Sequence, residues 1–120
     1  MASRVIASFD LQTVSELNHR QIWQVRAHRV KTQRQTTAAH LAASGFDPEC
    51  IAASKPTITI VRVGMRALDT DNLASSLKAV RDAVAAWLGV DDGPTGPVTW
   101  AYAQETTRSP LGKVRIEVGA

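Results

Sequence analysis

A chain of 120 residues, 44% hydrophobic and 21% charged, describes one folded domain, residues 1–120, with a modest core and no room for a second. A formal net charge of +3 does not mark the whole chain as a polyanion binder, so such a role has to come from how the charge is distributed. No apolar run approaches a membrane span and no secretory signal stands at Met1-Ala2-Ser3-Arg4; the single cysteine, Cys50, rules out an internal disulfide, so a cytoplasmic protein is expected.

Residues 4–9 (Arg-Val-Ile-Ala-Ser-Phe) read as a first strand, and Thr13 to Asn18 as a connection. A long helix is expected from about Arg20 to Ala43, closed by Ser44-Gly45, with Ile22, Trp23, Ala27, Val30 and Ala38 to Ala42 on a loosely apolar side. From Leu17 to Phe46 there is no acidic residue, while Arg20, Arg26, Arg29, Lys31 and Arg34 add five positive charges. A solvated helix surface would tolerate such a run, but the complete absence of acids favours contact with backbone phosphates. His19, His28 and His40, nine and twelve residues apart, match no usual metal-ligand spacing. Phe46 to Pro56 reads as a connection, with Cys50 in a structural role.

The run from Thr57 to Met65 is rich in β-branched residues and reads as the second strand. Arg62 and Arg66 then stand either at the border of the acidic stretch that begins at Asp69 or on plain surface. A second helix is expected from Asp71, because Leu73, Leu77, Val80, Val84, Trp87 and Leu88 recur at intervals that make one stripe. Asp71, Ser75, Lys78 and Asp82 fall on the other side, with Lys78 and Asp82 spaced as a helical ion pair. Gly89 is suited to end this helix in the left-handed conformation. Gly93-Pro94-Thr95-Gly96-Pro97 has neither helix nor strand capacity. Val98 to Tyr102 and Val114 to Val118 read as two strands joined by the polar loop Gln104 to Gly112, in an antiparallel hairpin whose Trp100 and Tyr102 belong to the core. The sum is an α+β fold, a mixed sheet with two helices in the order β-α-β-α-β-β. No repeat, phosphate-binding glycine loop, CxxC pair or serine nucleophile elbow is present.

Four carboxylates, Asp69, Asp71, Asp91 and Asp92, lie at the two ends of the unit formed by this second strand, its helix and the turn beyond. Asp and Asn at a helix start are ordinary caps, and Asp-Asp-Gly is an ordinary turn. Capping, however, needs one of Asp69, Thr70, Asp71 and Asn72 rather than all of them. A magnesium site uses one or two carboxylates completed by waters and substrate phosphate. The acids joined to an acid-free basic helix therefore point to a metal-dependent nuclease.

Asp69-Thr70-Asp71-Asn72-Leu73, a helix carrying a lysine, and Asp91-Asp92-Gly93 resemble the RusA-like family of Holliday junction resolvases, in a form like its phage-encoded branch. Asn18-His19-Arg20-Gln21-Ile22-Trp23 is similar to that family's N-terminal signature, so the likeness extends from about Val14 to the last strand. The resemblance implies a Mg²⁺-dependent homodimer, with Mn²⁺ as a substitute, that resolves four-way DNA junctions by paired symmetric nicks in a bacterial or phage-infected host. It implies that Asp69 and Asp71 are the paired catalytic carboxylates and that Asp91 or its neighbour Asp92 is the third metal ligand, with Asp91 favoured; by their charge, Arg20, Arg26, Arg29, Lys31 and Arg34 are expected to hold the DNA backbone. One departure is plain. The family's lysine follows the second aspartate by four, where this chain has Ser75, and the nearest lysine is Lys78. Lys78 is expected in the catalytic role from one turn further along. The departure leaves a second expectation open, a junction-binding phage accessory protein that keeps the fold with impaired catalysis.

Overall fold

The computed structural model describes residues 3–14 and 23–119. It contains β1 (Arg4–Asp10), α1 (Trp23–Ala43), α2 (Pro48–Ala53), β2 (Thr57–Gly64), α3 (Thr70–Ser76), α4 (Lys78–Leu88), β3 (Thr99–Thr106) and β4 (Lys113–Gly119). The α+β class and the mixed sheet are as expected. The helices differ: two short ones are added to the count, α2 inside the stretch read as a connection and α3 split from α4.

The strands lie in the order β1-β4-β2-β3. β4 is antiparallel to both β1 and β2, whereas β3 runs parallel to β2. The expected β3–β4 hairpin does not form, because β2 lies between the two. The cause is burial. Val114, Ile116 and Val118 are all buried, so β4 takes a central place, while β3, none of whose residues is fully buried, serves as an edge. The connection crosses the carboxyl end of β2, where the Thr107 N–H donates to the Gly64 carbonyl (2.9 Å).

Register sets three cross-strand rows on the helix-covered face. Trp100, Ile58 and Val118 form the first; Tyr102, Ile60 and Ile116 the second; Gln104, Arg62 and Val114 the third. Against them pack Leu41 of α1, Ile51 of α2 and the stripe Leu73, Leu77, Val80, Val84 and Leu88, which is the spacing expected from the sequence. On the opposite face Arg115 donates to Glu105 on β3 and to Glu117, so its side chain crosses β2. That crossing explains why Val61, registered beside Arg115, is only 2% exposed on a face without helices.

The helix expected to run unbroken from Asp71 to Leu88 breaks at Leu77, whose φ of −107° and ψ of 5° leave the helical region. The hydroxyl of Ser76 donates to the Leu73 carbonyl (2.8 Å), the acceptor that the Leu77 N–H would use in a continuous helix. Leu77 N–H turns instead to Ala74 O (3.2 Å). A serine side chain competing with the backbone thus opens the joint, and the fully buried Leu77 holds it closed against the sheet. Gly89, with φ of +71°, ends α4 as expected; Val90 N–H reaches back to Ala85 O (3.0 Å) and Gly89 N–H to Ala86 O (3.2 Å), a Schellman closure.

Two outcomes test these assignments. Leu77→Ala should destabilise the fold by about 2–5 kcal/mol in urea unfolding, since it empties a fully enclosed site; a loss below about 1 kcal/mol would show that the joint does not depend on it. The hydrogen bonds from Arg115 hold the Glu105 and Glu117 carboxyls below the ordinary glutamate value of 4.5. A carboxyl depressed by folding stabilises above its unfolded value and loses that contribution as pH falls through the folded one. The melting temperature should therefore drop below pH 4.5, and a Glu105→Gln/Glu117→Gln variant should start lower and show a flatter drop.

Candidate functional site

Asp69 is the N-cap of α3, in extended backbone, with one carboxylate oxygen accepting from Asn72 N–H (2.9 Å) and the other from Asn72 Nδ2 (3.0 Å). The ordinary capping role is thus real and belongs to Asp69. Asp71 stands in the first turn, exposed. Just before them, the side chain of Gln104 on β3 grips the Leu68 backbone from both sides, accepting from its N–H (2.9 Å) and donating to its carbonyl (2.7 Å). This clamp sets where the acidic loop begins relative to the sheet.

The second acidic motif is organised by a residue the sequence did not single out. Arg81 on α4 donates to the Tyr102 hydroxyl (2.9 Å) and to the Asp92 carbonyl, its Nε lies 3.4 Å from the Asp92 carboxylate, and its guanidinium sits 4.9 Å from the centroid of a Trp100 ring. The signal that could have identified it is an arginine at the edge of an apolar stripe, with aromatics on the next strand and an acid eleven residues on. Asp92 is therefore an ion-pair partner of the fold. Asp91 is the more exposed of the two, one oxygen accepting from Gly93 N–H (3.0 Å).

The expected convergence of these acids is not observed. Among the described residues, no three or more His, Cys, Asp or Glu side chains are grouped so as to hold a metal ion. Asp69 and Asp71 begin α3, while Asp91 and Asp92 follow α4 and return along it to Arg81. Of the four, Asp69 and Asp71 share one element, the start of α3. Two exposed carboxylates suit Mg²⁺ or Mn²⁺ of the kind completed by water and substrate phosphate, and do not suit a cage built from protein alone.

Lys78 is likewise placed otherwise than expected. Its amine lies 3.3 and 3.4 Å from the two Asp82 oxygens, one turn further from Asp71 rather than toward it. The break at Leu77 removes the continuous helix on which a lysine seven residues past Asp71 would share its face. Asp82 also takes Arg34 of α1 at 2.9 Å, so one carboxylate ties α1 to α4.

From Trp23 onward the basic segment belongs to α1, which has a narrow buried seam of Gln33, Thr37 and Leu41. Gln33 donates to the Gln12 carbonyl (2.8 Å), which ties α1 to the end of β1. Arg20 lies outside the described residues, as does most of the Asn18–Trp23 signature; Trp23 itself is 73% exposed. Arg26 and Arg34 line a groove of about 320 Å³ with Val30 and Gln33, facing Ser75, Lys78 and Asp82. Arg29 looks to the other flank, beside His28, Thr32 and Leu111, and Lys31 is exposed. The basic side chains among the described residues thus spread over both flanks, and one flank meets α3 and α4.

Arg81→Met should cost about 1–3 kcal/mol by leaving the Tyr102 hydroxyl and Asp92 without their donor, and residues 91–97 should become the first site of limited proteolysis. An unchanged digestion pattern would show that Arg81 does not hold the loop. No family model, no curated protein and no solved structure matches this chain.

Proposed function

We propose that this chain is a divalent-cation-dependent endonuclease acting on branched DNA, in the manner of the RusA-like resolvases its motifs resemble, and that it works as a homodimer inside a bacterial or phage-infected cell. The observation that carries this reading is the groove between α1 and the α3–α4 unit. There Arg26 and Arg34 of the acid-free helix face Ser75 and Lys78, and Ser75 stands one turn beyond the exposed Asp71. A phosphate backbone held along α1 would lie beside the carboxylates that start α3. Among the described residues, no helix is long and apolar enough to cross a membrane.

The roles follow from the chemistry of each group. Arg26, Arg34 and Lys78 hold phosphates electrostatically, with little preference for base sequence. Asp82 keeps the Arg34 and Lys78 side chains in the groove. Asp69 is oriented by its two hydrogen bonds from Asn72, so its remaining lone pairs are preset, and Asp71 adds a second hard oxygen donor. Mg²⁺ bound by this pair would supply a water of lowered pKa and neutralise charge gathering on the scissile phosphate. A two-fold dimer would present two such sites to a junction whose arms are themselves roughly two-fold.

A second reading is favoured by one arrangement: Lys78 is engaged with Asp82, and the four acids do not form one group. A chain so arranged would bind junctions without cutting them. Nicking of a synthetic four-way junction in Mg²⁺ separates the two. Wild type should nick, and Asp71→Asn should lose about 10²–10³ in rate, the scale of removing one preorganised electrostatic group, while still binding the junction. Salt-sensitive binding with no nicking of any branched DNA by pure wild type would establish the second reading. No binding even at low salt would remove both.

A further inference from the structure

The half-buried cation of β2 has no counter-ion among the described residues. Arg62 stands in the third row of the helix-covered face, between Gln104 and the fully buried Val114, where the apolar core runs out. Its Nε donates to the Thr13 hydroxyl (3.0 Å) and its Nη1 to the Arg66 carbonyl (2.8 Å). Both acceptors are neutral. Among the described residues no carboxylate pairs with it, and burial alone moves its pKa, downward. A charge withdrawn from water is ordinarily paired, because neutral hydrogen bonds orient it without compensating the lost hydration.

Gly64 leaves room for this placement. A Cβ there would lie 2.9–3.0 Å from the guanidinium atoms of Arg62. The backbone of Gly64 is not in the left-handed region, so the glycine provides room rather than conformation. The guanidinium therefore folds back over the strand end, held on two sides. Its Nη2 is left with no partner among the described residues. Arg62 lines a cavity of about 420 Å³ shared with Gln12, Thr13, Arg66 and Gly112. The cavity lies at the carboxyl end of β2, between the stretch that follows β1 and the loop that leads into β4. Gln104, the neighbour of Arg62 across the strands, grips the residue immediately before Asp69.

We propose that this cavity is a phosphodiester subsite, in which Arg62 presents a fixed fork to one backbone phosphate of the nucleic acid and Arg66 adds charge at the rim. The proposal rests on the DNA-binding half of the function above and deepens it: α1 holds one stretch of backbone, and Arg62, at the end of the strand that leads into the Asp69–Asp71 loop, holds a further phosphate. Arginine suits the task because its planar donors match a phosphate two at a time.

Two measurements on the full chain test it. In ¹⁵N-arginine-labelled protein, the Nε–H signal that disappears in Arg62→Gln should move when inorganic phosphate replaces chloride at matched ionic strength, and should not move in Gly64→Ala, where the fork is pushed aside. With a synthetic four-way junction, Arg62→Gln should bind about 10- to 100-fold more weakly and flatten the slope of log K against log salt by about one phosphate's worth, roughly 0.9. Arg62→Lys should keep the slope and lose part of the affinity. A signal indifferent to phosphate, together with an unchanged slope, overturns the subsite. A phosphate-induced shift with an unchanged junction slope assigns the cavity to free phosphate and overturns the phosphodiester assignment. Should Arg62→Gln fail to fold, the comparison of wild type with Gly64→Ala decides. Loss of slope in Arg62→Gln combined with no nicking by wild type sinks the nuclease reading and leaves the subsite standing.

Discussion

The parallel pairing of β2 with β3 is the constraint on which the rest of the molecule depends. Two parallel neighbours cannot be joined by a tight turn, so the chain between them must travel back along the sheet. Residues 65–98 do this as α3, α4 and a loop, and in doing so they cover the Ile58–Ile60 face and build the core. The same journey starts the acidic motif of α3 at the carboxyl end of β2 and puts the second acidic motif after the far end of α4. The loop brings Asp92 back to Arg81 on α4, while Asp71 stands on α3, across the joint at Leu77. The two motifs are therefore tied to different parts of β3: Leu68 to Gln104, and Asp92, through Arg81, to Tyr102.

Small polar groups decide the details of this crossover. The Ser76 hydroxyl takes the carbonyl that would have continued α3 into α4, and the resulting joint changes which residues share a face. Lys78 then begins a new helix and leans on Asp82, which also receives Arg34 from α1. Exposed ion pairs of this kind contribute little to stability. Their consequence is positional: they draw the basic helix against α4 and leave a groove with cations on both walls. Gln33, buried in the same helix, anchors it to the end of β1.

The two faces of the sheet treat arginine differently. Arg115, on the face without helices, is satisfied by Glu105 and Glu117 and shields Val61. Arg62, on the covered face, has among the described residues a threonine hydroxyl and a backbone carbonyl, over a glycine that makes space for it. The first is a cross-strand brace. The second is a charge held ready in a cavity beside the loop that carries Asp69, which is why it is assigned to a ligand rather than to the fold.

Much was legible in the sequence because it depends on neighbours a few residues away. The four strands, the apolar stripe from Leu73 to Leu88, the stop at Gly89, the Lys78–Asp82 pair and the core role of Trp100 all follow from local periodicity and turn chemistry. The order of the strands was not legible, since a loop from Gln104 to Gly112 can join adjacent strands or step over one, and only the burial of Val114, Ile116 and Val118 selects the latter. Nor was the placement of the carboxylates. Asp69, Asp71, Asp91 and Asp92 could be identified as chemistry-bearing residues by type and spacing, but whether they meet depends on a helix joint set by one hydroxyl and on an arginine reaching across to a tyrosine twenty-one residues later. Periodicity reports which way a side chain faces on its own element; where that element sits is decided by what the whole chain can bury.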